Sequence, residues 1–194
     1  MNWAHFFTLL RIVISPAFPI LYLQHDALGL TLFWLPYVLL ALLVICESSD
    51  LFDGFLARRR NQVTDLGKVL DPMADSITHI SLFMTFTQGI VQLPLMLVFV
   101  FLYRDLFISA LRTICALRGV ALGARLSGKA KTAVQSGAAF FILGLMIPCT
   151  MGGLSIELFR QLSLAATAIA AVCTVASVAD YLYANRLHIK KAFS

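Results

Sequence analysis

Four aspartates lie close together at the edges of two apolar stretches of this 194-residue chain: Asp50, Asp53, Asp71 and Asp75. A carboxylate in or beside a lipid bilayer is unfavourable by roughly 2.5–3.5 kcal/mol. Four of them also repel one another unless a positive charge lies between them. A divalent cation is the simplest such charge. The set therefore predicts a metal-dependent site at a membrane surface, although single aspartates could instead cap helices or pair with nearby arginines.

The spacing of these aspartates predicts two helices that face each other. Within each half of the set the carboxylates are three or four residues apart, so they lie on one face of a helix. Carboxylate oxygens without His or Cys ligands suit Mg²⁺ or Mn²⁺, which keep coordination positions for phosphate oxygens. Arg58, two helical turns after Asp50, could pair with such a phosphate. Small residues on the same faces would keep the gap open: Gly54, Ala57 and Gly67.

The composition predicts an all-α integral membrane protein with a single domain over residues 1–194. Hydrophobic residues make up 60% of the chain and charged residues 13%, whereas a soluble domain carries about 25% charge. Six segments approach the roughly 20 residues that a spanning helix needs: Phe6–Leu23, Leu28–Cys46, Val69–Gln88, Val91–Leu111, Ala133–Met151 and Leu158–Tyr183. Only a short break at Gln88 and Gly89 separates the third segment from the fourth, so five spanning helices are the alternative to six.

The basic residues fall on one side of this six-helix arrangement. With both termini on the same side, that side receives the arginines at 58–60, the basic region 104–131 and the C-terminal tail, whereas the other side keeps only Arg160. Basic loops mark the cytoplasmic side of a membrane protein. The site is therefore expected to face the cytoplasm and to meet anionic lipid head groups or phosphates. Nucleic acid is not an expected partner, because the remaining surface must face lipid.

A second group of polar residues lies between positions 104 and 135. Arg104 and Arg112 are eight residues apart, which places them on one side of a helix. Lys129 and Thr132 flank a turn before the fifth apolar segment. Converging Arg, Lys and a helix N-terminus form a natural phosphate site. The alternative is that such residues only anchor the protein at the surface, which is the preferred interpretation for Arg118 and Arg125. The candidates for the phosphate site are Arg104, Arg112, Lys129 and Thr132.

Three further polar residues allow two interpretations each. Glu47, one turn before the first motif aspartate, either orients a ligand or caps the end of the second apolar segment. His79, one turn beyond the last motif aspartate, is more often a hydrogen-bonded interior histidine than a ligand. Asp180 is assigned no chemistry and is expected to pair with a basic residue of the tail, Arg186 or Lys190.

The aspartates belong to a longer pattern with fixed spacing, Asp-x2-Asp-Gly-x2-Ala-Arg-x8-Gly-x3-Asp-x3-Asp. This pattern resembles the signature of the CDP-alcohol phosphotransferases. The resemblance implies a membrane enzyme with six transmembrane helices, usually a homodimer, that joins the phosphate of a CDP-linked donor to an alcohol and displaces CMP. Every fixed position is matched, by Asp50, Asp53, Gly54, Ala57, Arg58, Gly67, Asp71 and Asp75.

The same resemblance implies roles for these residues. The four aspartates would hold Mg²⁺ or Mn²⁺, as a pair of ions. Asp75 would also be the general base that takes the proton from the acceptor hydroxyl. The residues expected to contact the CDP group are Asp50, Asp53, Gly54, Ala57, Arg58 and Gly67.

The region 104–135 is similar to one bacterial branch of this family. It contains an Arg-acidic pair, then Ser-Ala-Leu-Arg, then Gly-Lys-x-Lys-Thr-x2-Gln. This branch joins CDP-diacylglycerol to sn-glycerol 3-phosphate in the bacterial inner (plasma) membrane, giving phosphatidylglycerophosphate and CMP. The likeness therefore implies these two substrates, with the acceptor phosphate bound by the second basic region. Ser76 stands where Lys is common, and Asp105 where Glu is expected. Three N-terminal residues also match the branch: Thr8, Arg11 and Pro16.

Two other functions compete with this interpretation. The same reaction could use another acceptor, phosphatidylglycerol for cardiolipin synthesis or inositol phosphate. The second basic cluster is the feature that bears on this choice, because an uncharged acceptor has no need of it. A non-enzymatic cation carrier would place its carboxylates near the bilayer midplane on broken helices. Here the carboxylates gather at helix ends on the basic side, which favours chemistry at the interface.

Overall fold

The computed structural model describes the backbone of residues 3–59, 65–119 and 125–193, and the side chains of 8–50, 52, 71–119, 125–187 and 189. Within these ranges the chain forms helices and no strand, which confirms the all-α class. The helices are α1 (Trp3–Ile14), α2 (Ala17–Leu23), α3 (Leu35–Arg59), α4 (Asp65–Thr85), α5 (Leu95–Leu117), α6 (Leu126–Thr150) and α7 (Ile156–Phe193).

The first predicted apolar segment, Phe6–Leu23, is broken into α1 and α2. Pro16 has no backbone N–H, so it cannot donate the hydrogen bond that would continue α1. The Ser15 hydroxyl donates to the Arg11 carbonyl oxygen at 2.7 Å, which satisfies an acceptor next to the break. The chain therefore changes direction between two short helices instead of forming one long one.

The second predicted segment, Leu28–Cys46, begins too early. Residues 28–34 form turns, and Gly29 takes a φ of +68° there. Helix α3 begins at Leu35 with Pro36 in its first turn, where proline is favoured because the N–H of that position has no helical partner. It then continues to Arg59, through the first half of the aspartate motif. Helix α4 contains the second half of the motif. Both halves are therefore helical, as the prediction of carboxylates on one helix face assumed.

A tyrosine holds the connection that separates α4 from α5. The Tyr22 hydroxyl donates to the Gln88 carbonyl oxygen at 3.1 Å and accepts the backbone N–H of Ile90 at 3.1 Å. Gly89 has a φ of +64°, and a Cβ atom there would lie 2.5 Å from the Tyr22 ring. The third and fourth predicted segments are thus distinct helices, divided by a turn that only glycine fits.

Two of the described helices are long and apolar enough to cross a membrane by length and composition, over Leu126–Thr150 and Ile156–Leu187. The outward face of α7 is apolar: Ile169, Val172 and Val175 are all more than half exposed. Such a face suits lipid contact, because lipid tails are as apolar as these side chains. With the family evidence given below, these helices indicate an association with membranes.

The helix arrangement determines which residues can meet at the aspartates. Helix α1 contacts both α3 and α4, and α6 also contacts both. Helix α7 lies against α5 and α6. The two halves of the motif are therefore flanked by α1 and α6, and α7 lies behind the basic region.

Candidate active site

Helix α1 joins the two halves of the aspartate motif. Arg11 Nη1 donates to Asp50 Oδ1 on α3 at 2.9 Å and also to Asp75 Oδ1 on α4. One turn away, the Thr8 hydroxyl donates to Asp71 Oδ1 at 2.8 Å. Both α1 side chains are buried. Three of the four motif aspartates are thus held by two residues of one helix.

The shared guanidinium shows how close the carboxylates lie. A single nitrogen atom of Arg11 contacts an oxygen of Asp50 and an oxygen of Asp75, so both oxygens surround one point. Carboxylate oxygens are the ligands that a hard divalent cation prefers, and here the positive charge between them is the Arg11 nitrogen. Among the described side chains, no group of three or more His, Cys, Asp or Glu residues is arranged to hold an ion. The side chain of Asp53, the fourth predicted ligand, lies outside the described residues.

Arg11 and Thr8 are the site residues that reasoning from motif spacing missed. The sequence does contain a cue, since a threonine and an arginine three residues apart in an apolar segment must share one helix face. A buried arginine requires a carboxylate partner. The two partners of Arg11, Asp50 and Asp75, are 39 and 64 residues away along the chain, so local spacing cannot identify them.

Most predicted CDP contacts fall outside the described side chains. Asp50 is described and lines the site. The others remain predictions, although the backbone of α3 and α4 passes through them as expected: Asp53, Gly54, Ala57, Arg58 and Gly67.

A small pocket, partly open to the outside, lies beside the carboxylates. It brings Thr132 of α6, a candidate for the acceptor-phosphate site, to the same space as Asp50 and Asp75. The Thr132 hydroxyl donates to the Gly128 carbonyl oxygen at 3.2 Å. The start of α6 is therefore near the aspartates. The lining residues are Arg11, Cys46, Glu47, Asp50, Asp75, Thr78, His79 and Thr132.

A buried polar network lies one helical turn behind the carboxylates. His79 Nδ1 is 2.9 Å from the Asp75 carbonyl oxygen, which can only accept, so Nδ1 carries a proton. Its Nε2 is 2.9 Å from the Ser136 hydroxyl and 3.2 Å from Glu47 Oε1. Ser136 also donates to Glu47 at 3.0 Å. The interior interpretation of His79 is confirmed, and Glu47 binds side chains of α4 and α6 rather than capping a helix.

Asp105 neutralises part of the second basic region. Lys131 Nζ donates to both of its carboxylate oxygens at 2.9 Å, and Arg104 Nη1 donates to Oδ1 at 2.9 Å. Lys131 and Asp105 are both buried. Ser76, at the position where the family commonly has Lys, lies against the same carboxylate. The charge of Lys131 is therefore compensated inside the protein.

The two arginines proposed for the acceptor phosphate both lie against α7. Arg104 Nε donates to the Ser177 hydroxyl at 3.2 Å, and Arg112 Nε donates to the Tyr181 hydroxyl at 3.2 Å. This agrees with the expectation that their spacing places them on one side of a helix. Lys129, in the first turn of α6, is exposed.

Asp180 does not pair with Arg186, the first of its two expected partners. Arg125 Nε donates to Asp180 Oδ2 at 2.9 Å, and the Ser127 hydroxyl donates to the same oxygen at 2.6 Å. Arg186 instead stacks on the Tyr183 ring, 4.1 Å from its centroid, and the Lys190 side chain is outside the described residues. The reason is tertiary: α7 turns Asp180 toward the start of α6, so a distant arginine reaches it.

Removing the shared guanidinium tests the arrangement around Asp50 and Asp75. We expect Arg11→Gln to lower the free energy of unfolding by about 1.5–3 kcal/mol, since charged hydrogen bonds to both carboxylates are lost. Added Mn²⁺ should then raise the midpoint of thermal unfolding in detergent more for this variant than for the wild type, because the ion relieves an uncompensated repulsion. Arg11→Lys, which keeps the charge, is the control. An equal Mn²⁺ shift in all three proteins would show that Arg11 does not compensate these carboxylates.

Comparison with known proteins identifies the family of this chain. The family model described as CDP-alcohol phosphatidyltransferase matches residues 1–179. A protein of Sodalis glossinidius is 32% identical over 192 residues, covering 96% of each chain. One of Yersinia enterocolitica is 33% identical over 149 residues, 75% of this chain and 77% of the relative. One of Rickettsia typhi is 29% identical over 148 residues, 75% and 76% of the two chains. All three carry the name CDP-diacylglycerol–glycerol-3-phosphate 3-phosphatidyltransferase.

Proposed function

This chain belongs to the CDP-alcohol phosphatidyltransferase family, and on that premise we propose that it transfers the phosphatidyl group of CDP-diacylglycerol to sn-glycerol 3-phosphate. The products are phosphatidylglycerophosphate and CMP. The observation that carries this proposal is the meeting of Asp50 and Asp75 around one point, in a pocket that Thr132 of the basic region also lines. The names of relatives that cover most of both chains support the choice of acceptor.

The carboxylates of the motif are proposed to hold Mg²⁺ or Mn²⁺, as two ions. The residues for this role are Asp50, Asp53, Asp71 and Asp75. When bound, such ions stabilise negative charge on the diphosphate and on the departing CMP. The chain itself holds these carboxylates in place through hydrogen bonds from Thr8 and Arg11 of α1. The CDP group would lie along Gly54, Ala57, Arg58 and Gly67 of the two motif helices.

Asp75 is proposed as the general base. The acceptor hydroxyl oxygen forms a bond to the phosphatidyl phosphorus, the bond from that phosphorus to the CMP oxygen breaks, and the hydroxyl proton passes to Asp75. Arg11 binds Oδ1 of Asp75, and within the described part of the chain Oδ2 accepts no hydrogen bond. One carboxylate oxygen is thus fixed while the other is available for the proton.

The acceptor phosphate is proposed to bind Arg104, Arg112, Lys129 and Thr132. These residues come from α5 and the first two turns of α6, and one of them, Thr132, lines the pocket beside the aspartates. Arginine suits this role because its planar fork matches two phosphate oxygens at once. Such a site distinguishes a phosphorylated alcohol from one without a phosphate.

We also propose six membrane-spanning units, with α1 and α2 together forming the first. The protein would lie in the bacterial inner membrane as a homodimer, with its site facing the cytoplasm. The exposed apolar face of α7 supports burial in lipid. The basic residues gather at one end of α5, α6 and α7, as the positive-inside rule requires of a cytoplasmic end.

CMP release by the detergent-purified protein tests the function. Reactions would contain CDP-diacylglycerol and Mg²⁺ or Mn²⁺, with glycerol 3-phosphate, inositol phosphate, phosphatidylglycerol or no acceptor. We expect release with glycerol 3-phosphate only, and none after EDTA treatment, with activity restored by excess metal. Release with a different acceptor would replace the proposed substrate, and no release from folded protein with any acceptor would contradict the reaction itself.

A further inference from the structure

Helix α7 contacts the basic region through one face. Three of its residues, spaced by three and by one, each bind a different arginine of α5 or of the start of α6. Two of the three partners on α7 are neutral oxygens and one is a carboxylate. The pairs are Ser177 with Arg104, Asp180 with Arg125, and Tyr181 with Arg112.

Ser177 binds Arg104 through a neutral hydroxyl, which does not compensate the positive charge of the arginine. The Ser177 hydroxyl donates its own proton to the Thr174 carbonyl oxygen at 2.7 Å, so its oxygen can accept from Arg104 Nε at 3.2 Å. Asp105 accepts from Nη1 of the same guanidinium. The remaining nitrogen, Nη2, lies beside Gly128, where an added Cβ atom would be 3.6 Å away. Arg104 is therefore fixed at two nitrogens, and its third is next to the first turn of α6.

Tyr181 holds Arg112 in a similar way. The buried phenol oxygen accepts from Arg112 Nε at 3.2 Å, and the guanidinium carbon lies 5.4 Å from the ring centroid. The ring itself is fixed, because it packs in a cluster with Ile108, Leu111 and Cys115. Within the described residues, neither Nη atom of Arg112 donates a hydrogen bond. These two nitrogens can bind two oxygens of one anion, the arrangement in which arginine binds phosphate well.

The kind of partner separates the basic residues of this region into two groups. Lys131 and Arg125 face the carboxylates of Asp105 and Asp180, so their charges are compensated within the protein. Arg104 shares the single carboxylate of Asp105 with Lys131, so these two cations keep one net positive charge between them. Arg112 is held by a neutral hydroxyl and keeps its full charge. A phosphate dianion is attracted to both uncompensated charges, most directly at Arg112, where no internal anion must be displaced.

We propose that Ser177 and Tyr181 are positioning residues for the acceptor phosphate, acting through Arg104 and Arg112. Ser177 orients Arg104 so that its Nη2 lies beside Gly128 in the first turn of α6. Tyr181 holds Arg112 at Nε, which leaves both of its Nη atoms for the phosphate. This inference rests on the proposed function, because it names how that acceptor is held.

Two conservative substitutions test the inference. Tyr181→Phe removes only the hydroxyl and keeps the ring, and Ser177→Ala removes only the acceptor for Arg104. We expect Tyr181→Phe to raise the apparent KM for glycerol 3-phosphate by about tenfold, the effect of losing one hydrogen bond to a charged group. Ser177→Ala should raise it by about threefold, because Asp105 still holds Arg104. The KM for CDP-diacylglycerol should stay at the wild-type value, so the effect is selective for the acceptor.

Matched controls come from the same helix. Tyr183→Phe alters an exposed ring that stacks on Arg186, and Ser163→Ala alters a buried serine bonded to the Phe159 carbonyl oxygen. Both should keep the wild-type KM for glycerol 3-phosphate. A purely structural role of Tyr181 would instead lower the unfolding midpoint and kcat without a selective change in this KM, and would overturn the inference.

A double-mutant comparison separates this inference from the proposed function. Because Tyr181 acts through Arg112, adding Tyr181→Phe to Arg112→Ala should raise the KM no further than Arg112→Ala does alone. Additive effects would overturn the positioning role while the function stands. Absence of glycerol 3-phosphate-dependent CMP release by the wild type would overturn the function itself.

Discussion

Asp75→Asn is expected to lower kcat for CMP release by about 10³-fold or more, the range found when a general base is removed. An asparagine has nearly the same shape but cannot take the proton of the acceptor hydroxyl. Its amide oxygen can still accept the hydrogen bond from Arg11, so α1 should stay in place. The measurement is the rate of CMP release at saturating CDP-diacylglycerol and glycerol 3-phosphate.

The control for this variant is Asp26→Asn, which alters an almost fully exposed carboxylate in the loop after α2. It should keep wild-type activity. Binding of CDP-diacylglycerol to Asp75→Asn should be largely retained. If binding is lost together with turnover, Asp75 serves mainly as a ligand for the metal and the donor, and another group accepts the proton.

Asp105→Leu is expected to destabilise the protein by about 3–5 kcal/mol, the effect of leaving a buried charge without its partner. Within the described residues, Lys131 Nζ donates both of its hydrogen bonds to this carboxylate, and Arg104 loses one bond as well. The midpoint of thermal unfolding in detergent measures the effect. The double variant Asp105→Leu/Lys131→Met removes both charges and should recover most of the lost stability, because an apolar pair replaces the ion pair.

This pair of variants also separates stability from substrate binding. The double variant keeps Arg104 bonded to Ser177 only. Its KM for glycerol 3-phosphate should therefore be higher than the wild-type value, although its stability is recovered. If the double variant is as unstable as the single one, the buried lysine is not the cause of the instability.

Fixed spacing made part of the site predictable from the sequence. Carboxylates three or four residues apart must share a helix face, and α3 and α4 do run through both halves of the motif. Proline could have improved the helix boundaries. Pro16, Pro36 and Pro94 each stand at or next to a helix start, where a residue without an N–H is tolerated. Apolar segments alone gave wrong boundaries for the first two helices, because hydropathy does not register a missing donor.

The long-range contacts could not be predicted in this way. Nothing in local spacing identifies Asp50 and Asp75 as partners of Arg11, or Arg125 as the partner of Asp180. The last apolar segment shows no motif in the sequence, yet it supplies the oxygens that hold three arginines. These contacts depend on which helices are neighbours, and packing of the whole chain decides that.

The length of α7 has a consequence for where the reaction takes place. About 21 residues separate Ile156 from Ser177, roughly 32 Å of helix at 1.5 Å per residue. The hydrocarbon core of a bilayer is about 30 Å thick. In the proposed membrane placement, with Ile156 at one boundary of the hydrocarbon, this length would put Ser177 and the arginine that it binds, Arg104, near the opposite boundary. A lipid donor would reach that level by lateral diffusion and a phosphorylated alcohol from solution, so bilayer thickness would control how well the two meet.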